Sequence, residues 1–134
     1  MLRLEIVTPE SKTFSDDVDS VVIPGVEGEL GILPMHVPLM TMLLPGELRV
    51  TRDGLETRLA VGEGFVEVSG DKVSVLTDMA INESDIDENS AEEAMRRAEE
   101  AMNDSKLNSE EIALVNAALQ KSLAQLRVKR RRAY

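Results

Sequence analysis

The stretch that decides the fold is residues 48–60, which read Leu48-Arg49-Val50-Thr51-Arg52-Asp53-Gly54-Leu55-Glu56-Thr57-Arg58-Leu59-Ala60. Before the turn, apolar and polar side chains alternate at every second position, the pattern of a strand with one buried face. Asp53-Gly54 then supplies two residues that tolerate positive φ, which a type I′ turn needs at both central positions. Residues 55–60 supply the returning strand. The stretch therefore predicts an antiparallel β-hairpin.

Similar signals recur on both sides of this hairpin. Many short apolar runs are separated by turn residues about every 8–12 positions, with no helical pattern between them, which predicts an antiparallel β-sandwich or flattened barrel. Gly62 and Gly64 indicate a bulge or a tight corner. The predicted strands are carried by Leu2, Leu4 and Ile6, by a single run of Val18, Val21, Val22 and Ile23 closed by Pro24-Gly25, by Phe65, Val66 and Val68, and by Val73, Val75 and Leu76.

The pattern changes near Asp85 from alternation to helical spacing. Ser90 and Glu93 have the spacing of a capping box, which predicts that Ser90 begins a helix. Asn108 and Glu111 have the same spacing and predict the start of a second helix. The apolar faces are Ala91, Ala94, Met95, Ala98, Ala101 and Met102 on the first helix, and Ile112, Val115, Leu119, Leu123 and Leu126 on the second.

A short polar loop between two amphipathic helices predicts an antiparallel hairpin. The seam of the first helix is built from Ala and Met, so its burial stabilises the hairpin less than a leucine seam would, at about 25 cal/mol per Å² of apolar area. The fold class is therefore α+β. We expect a β-sandwich domain at residues 1–84 and a helical hairpin domain at residues 85–134.

Composition excludes several classes of protein. The chain has no cysteine, which excludes disulfides and thiolate metal sites and favours a reducing compartment. Its three aromatic residues, Phe14, Phe65 and Tyr134, are too few for a base-stacking nucleic-acid surface. No apolar run approaches the roughly 20 residues that span a bilayer. We expect no nucleic-acid partner, and contact with a membrane only through partner proteins.

Charge is distributed unevenly along the chain. Residues 1–84 carry 15 acidic and 6 basic residues, whereas residues 85–134 carry 10 acidic and 9 basic residues. Five of those cations form the basic tail: Arg127, Lys129, Arg130, Arg131 and Arg132. Two interpretations stay open, a solvated acidic domain with a basic end, or a tail that binds an acidic surface. The formal net charge of −10 disfavours DNA binding.

Catalytic patterns are missing from the sequence. His36 is the only histidine, so a histidine metal site or a nucleophile triad would lack partners. No pair of carboxylates stands out for acid–base catalysis, and no serine lies in a nucleophile elbow. The glycines at 25, 28 and 31 lack the spacing and the following helix of a dinucleotide site. We expect a non-catalytic protein without metal or cofactor.

The most distinctive segment is Gly28-Glu29-Leu30-Gly31-Ile32-Leu33-Pro34-Met35-His36-Val37-Pro38-Leu39. Its two prolines fix φ and cannot donate to a sheet, while its glycines allow backbone conformations closed to other residues. Five of its side chains are too apolar for an ordinary solvated loop. The segment predicts a short strand that leads into a rigid, partly apolar turn bearing one carboxylate, Glu29, and one imidazole, His36.

This segment closely resembles the signature loop of the epsilon subunit of F-type ATP synthases, and the resemblance covers nearly the whole chain. At Glu63 the family commonly has a glycine, a mild departure. The other segments that carry the resemblance are Ile6-Val7-Thr8-Pro9-Glu10, Gly62-Glu63-Gly64-Phe65-Val66-Glu67-Val68, Ser84-Asp85-Ile86-Asp87 and Leu123-Ala124-Gln125-Leu126-Arg127-Val128.

The resemblance implies a ten-stranded β-sandwich followed by a two-helix hairpin, in a rotor subunit that performs no chemistry. The sandwich would dock on the gamma subunit and on the polar loops of the c-ring, and we expect Glu29, Leu30 and His36 to be exposed in the foot, at one end of the sandwich, that contacts them. The hairpin could fold onto the sandwich or extend along gamma into the catalytic alpha/beta head, where it opposes ATP hydrolysis. The subunit would lie on the cytoplasmic face of the bacterial inner membrane, or on the stromal side in a plastid.

Some members of the family bind ATP through an [IL]-D-x-x-R-A motif. This chain reads Ile86-Asp87-Glu88-Asn89-Ser90-Ala91 there, so Ser90 replaces the arginine. A hydroxyl cannot supply the charge-assisted hydrogen bonds of a guanidinium to phosphate. The degenerate motif, with Ile86, Asp87, Ser90 and Ala91 in place, therefore predicts no ATP binding.

An alternative function stays open at this point. The chain could be a stand-alone β-sandwich that binds ligands or acts as an adaptor, with a helical tail. Purification separates the two: a rotor subunit co-purifies with gamma in a stoichiometric complex, whereas an adaptor is recovered without ATPase subunits.

Overall fold

Ten β-strands are followed by two α-helices in the computed structural model, which describes residues 1–10 and 12–130 and, for Lys12 and Thr13, the backbone alone. A 3₁₀ turn at Glu83–Asp85 joins the two parts. The α+β prediction is confirmed. The strands are β1 Leu2–Val7, β2 Lys12–Val18, β3 Ser20–Gly25, β4 Gly28–Ile32, β5 Leu39–Leu43, β6 Gly46–Arg52, β7 Leu55–Val61, β8 Gly64–Ser69, β9 Lys72–Thr77 and β10 Ala80–Asn82, and the helices are α1 Glu88–Met102 and α2 Ser109–Arg130.

The strands form one continuous sheet in the order β10-β7-β6-β3-β5-β8-β9-β1-β2, with β4 attached to β3. Inward side chains from nine strands meet in a single core, and Leu2, Leu4 and Ile6 of β1 are fully buried in it, as their alternation predicts. One strand pair differs from the antiparallel prediction. β1 and β9 run parallel, because strands far apart in the chain are not constrained by a hairpin turn.

The β6–β7 hairpin has the predicted turn. Asp53 has φ 52° and Gly54 has φ 79°, as a type I′ turn requires. The backbone N–H of Asp53 also donates to the carboxylate of Asp19 at 2.8 Å, which ties this turn to the loop between β2 and β3.

The prediction of one strand through Val18 and Ile23 is wrong. Val18 ends β2, and a new strand begins at Ser20. Asp19 lies between them, and its N–H donates to the carbonyl of Thr51 rather than to a β1 partner. Alternation also left β2, β5 and β10 unpredicted, since they are acid-rich, apolar on both faces or only three residues long.

The prediction that Ser90 begins the first helix is also wrong. Asp87 is the N-cap of α1, and its carboxylate accepts from the N–H of Ser90 at 3.1 Å. An aspartate three residues before that N–H has the geometry for this bond, so Ser90 lies inside the first turn. The second capping box is confirmed: Asn108 and Glu111 each accept from the other's N–H, at 2.8 and 3.3 Å.

Helix α2 lies between α1 and the sheet. Its α1 side meets the predicted Ala/Met face of α1, where Ala91 and Ala98 are buried. Its other side packs on β6 and β7. There Ala124 and Val128 join Ala60, Met79 and Ile86 in a small second cluster. The apolar face predicted for α2 does not contain Ala124 and Val128. These two residues hold the helical hairpin against the sandwich.

Candidate functional site

The segment 28–39 folds as β4 followed by a rigid turn. Pro34 and Met35 are the central residues of the turn, which closes when the N–H of His36 donates to the carbonyl of Leu33 at 3.2 Å. Met35 has φ 66°, so the turn is of type II with proline at its favoured position. The N–H of Met35 donates to the Asp71 carboxylate at 3.1 Å, which anchors the turn to the β8–β9 connection.

The three predicted foot residues differ in exposure. The Glu29 side chain is 61% exposed on the outer face of β4. Leu30 is half-buried and packs against the core, so it differs from the expectation of an exposed anchor. His36 is half-buried, and its Nδ1 donates to the carbonyl of Val37 at 2.7 Å. That bond fixes the ring orientation.

The structure does not bring these residues into one contact. Glu29 and Leu30 lie near the β3–β4 hairpin, whereas His36 follows the other end of β4. At about 3.3 Å of rise per residue, roughly 10 Å of strand separates Glu29 from Ile32, before the turn begins. Within the described part of the chain, no hydrogen bond or ion pair joins Glu29 to His36.

Glu29 instead belongs to an ion-pair chain on the outer face of the sheet. Its Oε2 accepts from Arg49 NH1 at 2.8 Å, and the same nitrogen lies 3.2 Å from Glu47 Oε1. Partial burial lowers the pKa of Arg49, but the hydrogen bonds and charges of Glu47 and Glu29 outweigh it and raise the pKa above its ordinary value. A third carboxylate, that of Glu56, lies 3.9 Å from Arg49 Nε, so Arg49 is a fixed cation among three carboxylates, of which Glu29 and Glu47 are the nearest.

The turn after β4 exposes apolar side chains, in agreement with the predicted partly apolar turn. Leu33, Met35 and Val37 are 63%, 87% and 70% exposed. Three large apolar side chains on a rigid turn form a candidate contact surface for another protein.

A second apolar surface crosses four strands. Direct register partners place Met42 beside Phe65, Phe65 beside Leu76, and Leu76 beside Val7. Their inward neighbours Leu43, Val66, Val75 and Ile6 are buried in the core, so this apolar row lies on the outer face of β5, β8, β9 and β1. Met42, Phe65 and Leu76 are each about half exposed. The neighbouring row carries Met40, Glu67, Ser74 and Glu5, two of them acidic.

Adjacent apolar residues in the sequence indicate this apolar row. Ile6-Val7, Phe65-Val66 and Val75-Leu76 are adjacent apolar pairs, so their strands are apolar on both faces. A strand that covers only a core alternates, whereas one that also meets a partner does not. Beyond the row, a groove of about 340 Å³ continues along the surface, with Pro9, Gly64 and Leu76 in its walls.

The basic tail runs beside the start of α1. Arg130 pairs with Glu88 at 2.8 Å and with Glu92 at 3.2 Å, and Lys129 Nζ donates to the carbonyl of Glu83 at 3.2 Å. Arg127 is exposed, with its guanidinium near Gly46 at the start of β6. Arg131 and Arg132, also predicted in the tail, lie outside the described residues.

Three of the four residues of the degenerate nucleotide motif have structural roles. Ile86 and Ala91 are buried, and the Asp87 carboxylate caps α1. Ser90 is exposed in the first turn of α1. A groove of about 320 Å³ lies between the helices, and of its lining side chains only Arg97 is charged. Among residues 1–10 and 12–130, no group of acidic or histidine side chains is placed to hold a metal ion. No described helix is long and apolar enough to cross a membrane.

Family models match the chain in two consecutive parts. The model described as the beta-sandwich domain of the ATP synthase delta/epsilon chain matches residues 1–83. The model described as the long alpha-helix domain of the same chain matches residues 84–130.

Curated relatives agree with these matches. The chain is 42% identical to the ATP synthase epsilon chain of Herpetosiphon aurantiacus over 127 residues, which cover 95% of this chain and 93% of that protein. It is 44% identical to the ATP synthase epsilon chain of Dehalococcoides mccartyi strain BAV1 over 131 residues, which cover 98% and 94%.

A solved structure has the same fold. A chain in the cryo-EM structure of the Euglena gracilis mitochondrial ATP synthase, OSCP/F1/c-ring, superimposes with a TM-score of 0.75 at 23% identity. The match covers 92% of this chain and 78% of that one.

Proposed function

Since the chain belongs to the ATP synthase delta/epsilon family, we propose that it is a rotor subunit of the central stalk, which couples the c-ring to the gamma subunit and performs no chemistry. It lies peripherally on the membrane complex, at the cytoplasmic face of a bacterial inner membrane or the stromal face of a plastid membrane.

The observation that carries this proposal is the apolar row on the outer face of the sandwich. Helix α2 covers β6 and β7 and leaves the row open. A contiguous apolar surface with an aromatic residue at its centre is typical of a protein–protein contact. We assign this face to the gamma subunit. The acidic row beside it, with Glu67 and Glu5, favours a basic flank on the gamma surface.

The foot is assigned to the polar loops of the c-ring. The exposed carboxylate of Glu29 is an acceptor for polar or cationic loop groups. The turn of Leu33, Met35 and Val37 supplies apolar contact area, and the fixed imidazole of His36 lies within it. Leu30 supports β4 from inside, so that it positions Glu29 rather than contacting the ring directly.

The helical hairpin at residues 85–134 is assigned as a regulatory arm. In the folded position α2 rests on the sheet through the small cluster around Ala124 and Val128, with charged contacts at its end. Extended along gamma, the arm would carry the basic tail toward the alpha/beta head and oppose ATP hydrolysis. Small apolar contacts and exposed ion pairs make such a release energetically accessible.

Gamma docking is tested by replacing the central aromatic residue of the row. Phe65→Glu places a charge in the proposed interface and leaves the core side of β8 unchanged. Loss of a central aromatic contact costs about 2 kcal/mol or more, so affinity for the gamma subunit should fall at least about 30-fold. Leu55→Glu is the matched control, since Leu55 is exposed at the distant β6–β7 turn.

Titration calorimetry against purified gamma measures both variants, and circular dichroism confirms that they remain folded. The proposal fails if Phe65→Glu binds gamma like the parent chain. For the foot, Glu29→Ala with His36→Ala should weaken coupling of the assembled complex while the isolated chain stays folded. Unchanged proton pumping by that complex would refute the foot assignment alone.

A further inference from the structure

We propose that Arg49 is a positioning residue that links the binding state of Glu29 to the seating of α2 on the sheet. The link is a property of the isolated chain, and only its use in the rotor rests on the proposed function.

One guanidinium nitrogen of Arg49 contacts both an exposed carboxylate and a buried one. Arg49 NH1 lies 2.8 Å from Glu29 and 3.2 Å from Glu47. The Glu29 side chain is 61% exposed, whereas that of Glu47 is 6% exposed. A partner can therefore reach Glu29 directly, and Arg49 connects that exposed carboxylate to the buried one of Glu47.

Glu47 lies beneath α2. Leu48 and Val50 of β6 point into the core, so Glu47 and Arg49 point outward. The register partner of Glu47 is Ala60, and directly opposed residues project from the same face of a sheet. Ala60 is fully buried against Ala124 and Val128 of α2. The same helix thus covers Glu47.

On the helix side, Arg127 of α2 lies close to the start of β6, where Glu47 is located. Its NH1 lies 3.8 Å from the position that a Cβ on Gly46 would take, beside Glu47. The seat of α2 on β6 is therefore next to the buried end of the ion-pair chain.

Glu29 and Glu47 compete for the same nitrogen of Arg49, NH1, whereas Glu56 lies further away, 3.9 Å from Nε. A buried carboxylate is costly unless cations and donors compensate it. When a partner group binds Glu29, Arg49 NH1 is no longer shared with Glu29 and interacts more strongly with Glu47, so covering Glu47 with α2 costs less free energy. Engagement of Glu29 should then hold the arm more firmly in the folded position. Loss of Arg49 should loosen it.

Opposite shifts in two variants are the test. Hydrogen exchange of the amides of residues 119–130 is measured in the full isolated chain. Glu29→Gln mimics a neutralised Glu29 and should slow exchange. Arg49→Met keeps the length of the side chain and removes its charge, and it should speed exchange by about tenfold, as expected for a lost charge-assisted hydrogen bond to a buried group. If the two variants shift exchange in the same direction, or leave it unchanged, the link does not exist.

Arg58→Met is the matched control. Arg58 is the register partner of Arg49 on β7 and pairs at 3.3 Å with Glu56, whose other oxygen lies 3.9 Å from Arg49 Nε. The Arg58→Met variant should have amide exchange rates within about threefold of those of the parent chain. An effect equal to that of Arg49→Met would mean that the loss of any cation on this face speeds exchange, which overturns the proposal.

A second substitution separates charge from packing. In Arg49→Met with Glu47→Gln, the group beneath α2 is neutral and no longer needs the guanidinium. Exchange should return toward the parent value. Exchange that stays fast would show that Arg49 acts by packing its side chain. Since these measurements need no rotor partner, their outcome is independent of whether Phe65→Glu abolishes binding to gamma.

Discussion

Arg130 in the last turn of α2 pairs with Glu88 in the first turn of α1, with 2.8 Å between Nε and Oε1. This contact joins the two ends of the helical hairpin. Arg130 also reaches Glu92 at 3.2 Å, one turn further along α1. All three side chains are partly exposed, so the contacts are weak and are screened by salt. The two ends of the helical hairpin are therefore joined by ion pairs that contribute little free energy and break readily.

Replacing Arg130 by Met should destabilise the isolated chain only slightly. The expected loss is about 0.5–1 kcal/mol at low salt, as for exposed ion pairs, and it should vanish near 0.5 M NaCl, where the Debye length is only a few Å. Urea unfolding followed by circular dichroism measures it. Arg97→Met is the control, because among residues 1–10 and 12–130 Arg97 pairs only with Glu93 of its own helix. A loss that persists at high salt would contradict this assignment.

Acid should weaken α1 through its cap. Hydrogen bonds from Ser90, first from its backbone N–H and then from its side chain, lower the pKa of Asp87 below its ordinary value. The unfolded chain therefore takes up this proton at a higher pH than the folded one. The stabilisation by Asp87 is fully present above the ordinary aspartate pKa, about 4, and is lost as the pH falls through the lower folded value.

Asp87→Ser separates this effect from the other acids. Serine caps a helix but does not titrate. The stability difference between the parent chain and the variant should shrink as the pH is lowered from 6 to 3, as followed by urea unfolding at each pH. A difference that is constant over this range would exclude Asp87 as the titrating cap.

The sequence predicted correctly the elements that depend only on residues close to one another in the chain. The Asp53-Gly54 turn, the alternation in β1 and the reciprocal cap of Asn108 and Glu111 each depend on neighbours in the chain, and the structure confirms all three. The start of α1 was misplaced because Asp87 and Ser90 both fit a cap, and the sequence cannot show which of them has extended backbone.

Long-range features could not be predicted in the same way. The parallel pairing of β1 with β9 depends on the closure of the whole sheet. The apolar row emerges only when register places Met42, Phe65 and Leu76 side by side. The contact of Glu29 with Arg49 spans 20 residues, and nothing near Glu29 in the sequence indicates it.

Gly64 should be intolerant of any side chain. A Cβ there would lie 1.8 Å from the carbonyl oxygen of Leu76 on the neighbouring strand. Gly64→Ala must displace β8 from β9, and we expect a loss of about 3 kcal/mol or more in urea unfolding. Gly31→Ala is the control, because a Cβ on Gly31 meets nothing within 4 Å. It should change stability by less than about 0.5 kcal/mol. Equal losses in the two variants would be inconsistent with this close approach.

ATP should not bind to the isolated chain at physiological concentration. Ser90 offers a hydroxyl where phosphate recognition needs a guanidinium, and the carboxylate of Asp87 already caps α1. Calorimetry with ATP and magnesium should record only heats of dilution. Micromolar binding would contradict the prediction and would direct attention to Arg97 in the groove between the helices.

Neutralising the basic tail should relieve inhibition of ATP hydrolysis in the assembled complex. Deleting residues 127–134 would also remove Val128, which is fully buried beneath the hairpin, so substitution is the sharper change. The variant carries Gln in place of Arg127, Lys129, Arg130, Arg131 and Arg132.

Two effects of this variant oppose each other. Loss of the contacts to Glu88 and Glu92 favours release of the arm, whereas loss of the cations would weaken the proposed contact of the tail with acidic surfaces of the alpha/beta head. The folded contacts are exposed and weak, so we expect the second effect to dominate and hydrolysis to rise. The difference should shrink with added salt, because both surfaces are screened. Arg52→Gln with Arg58→Gln, two cations of the sandwich, controls for the loss of cations outside the tail. Hydrolysis rates equal to those of the parent complex at low and moderate salt would show that the tail is only a solvated end of the chain.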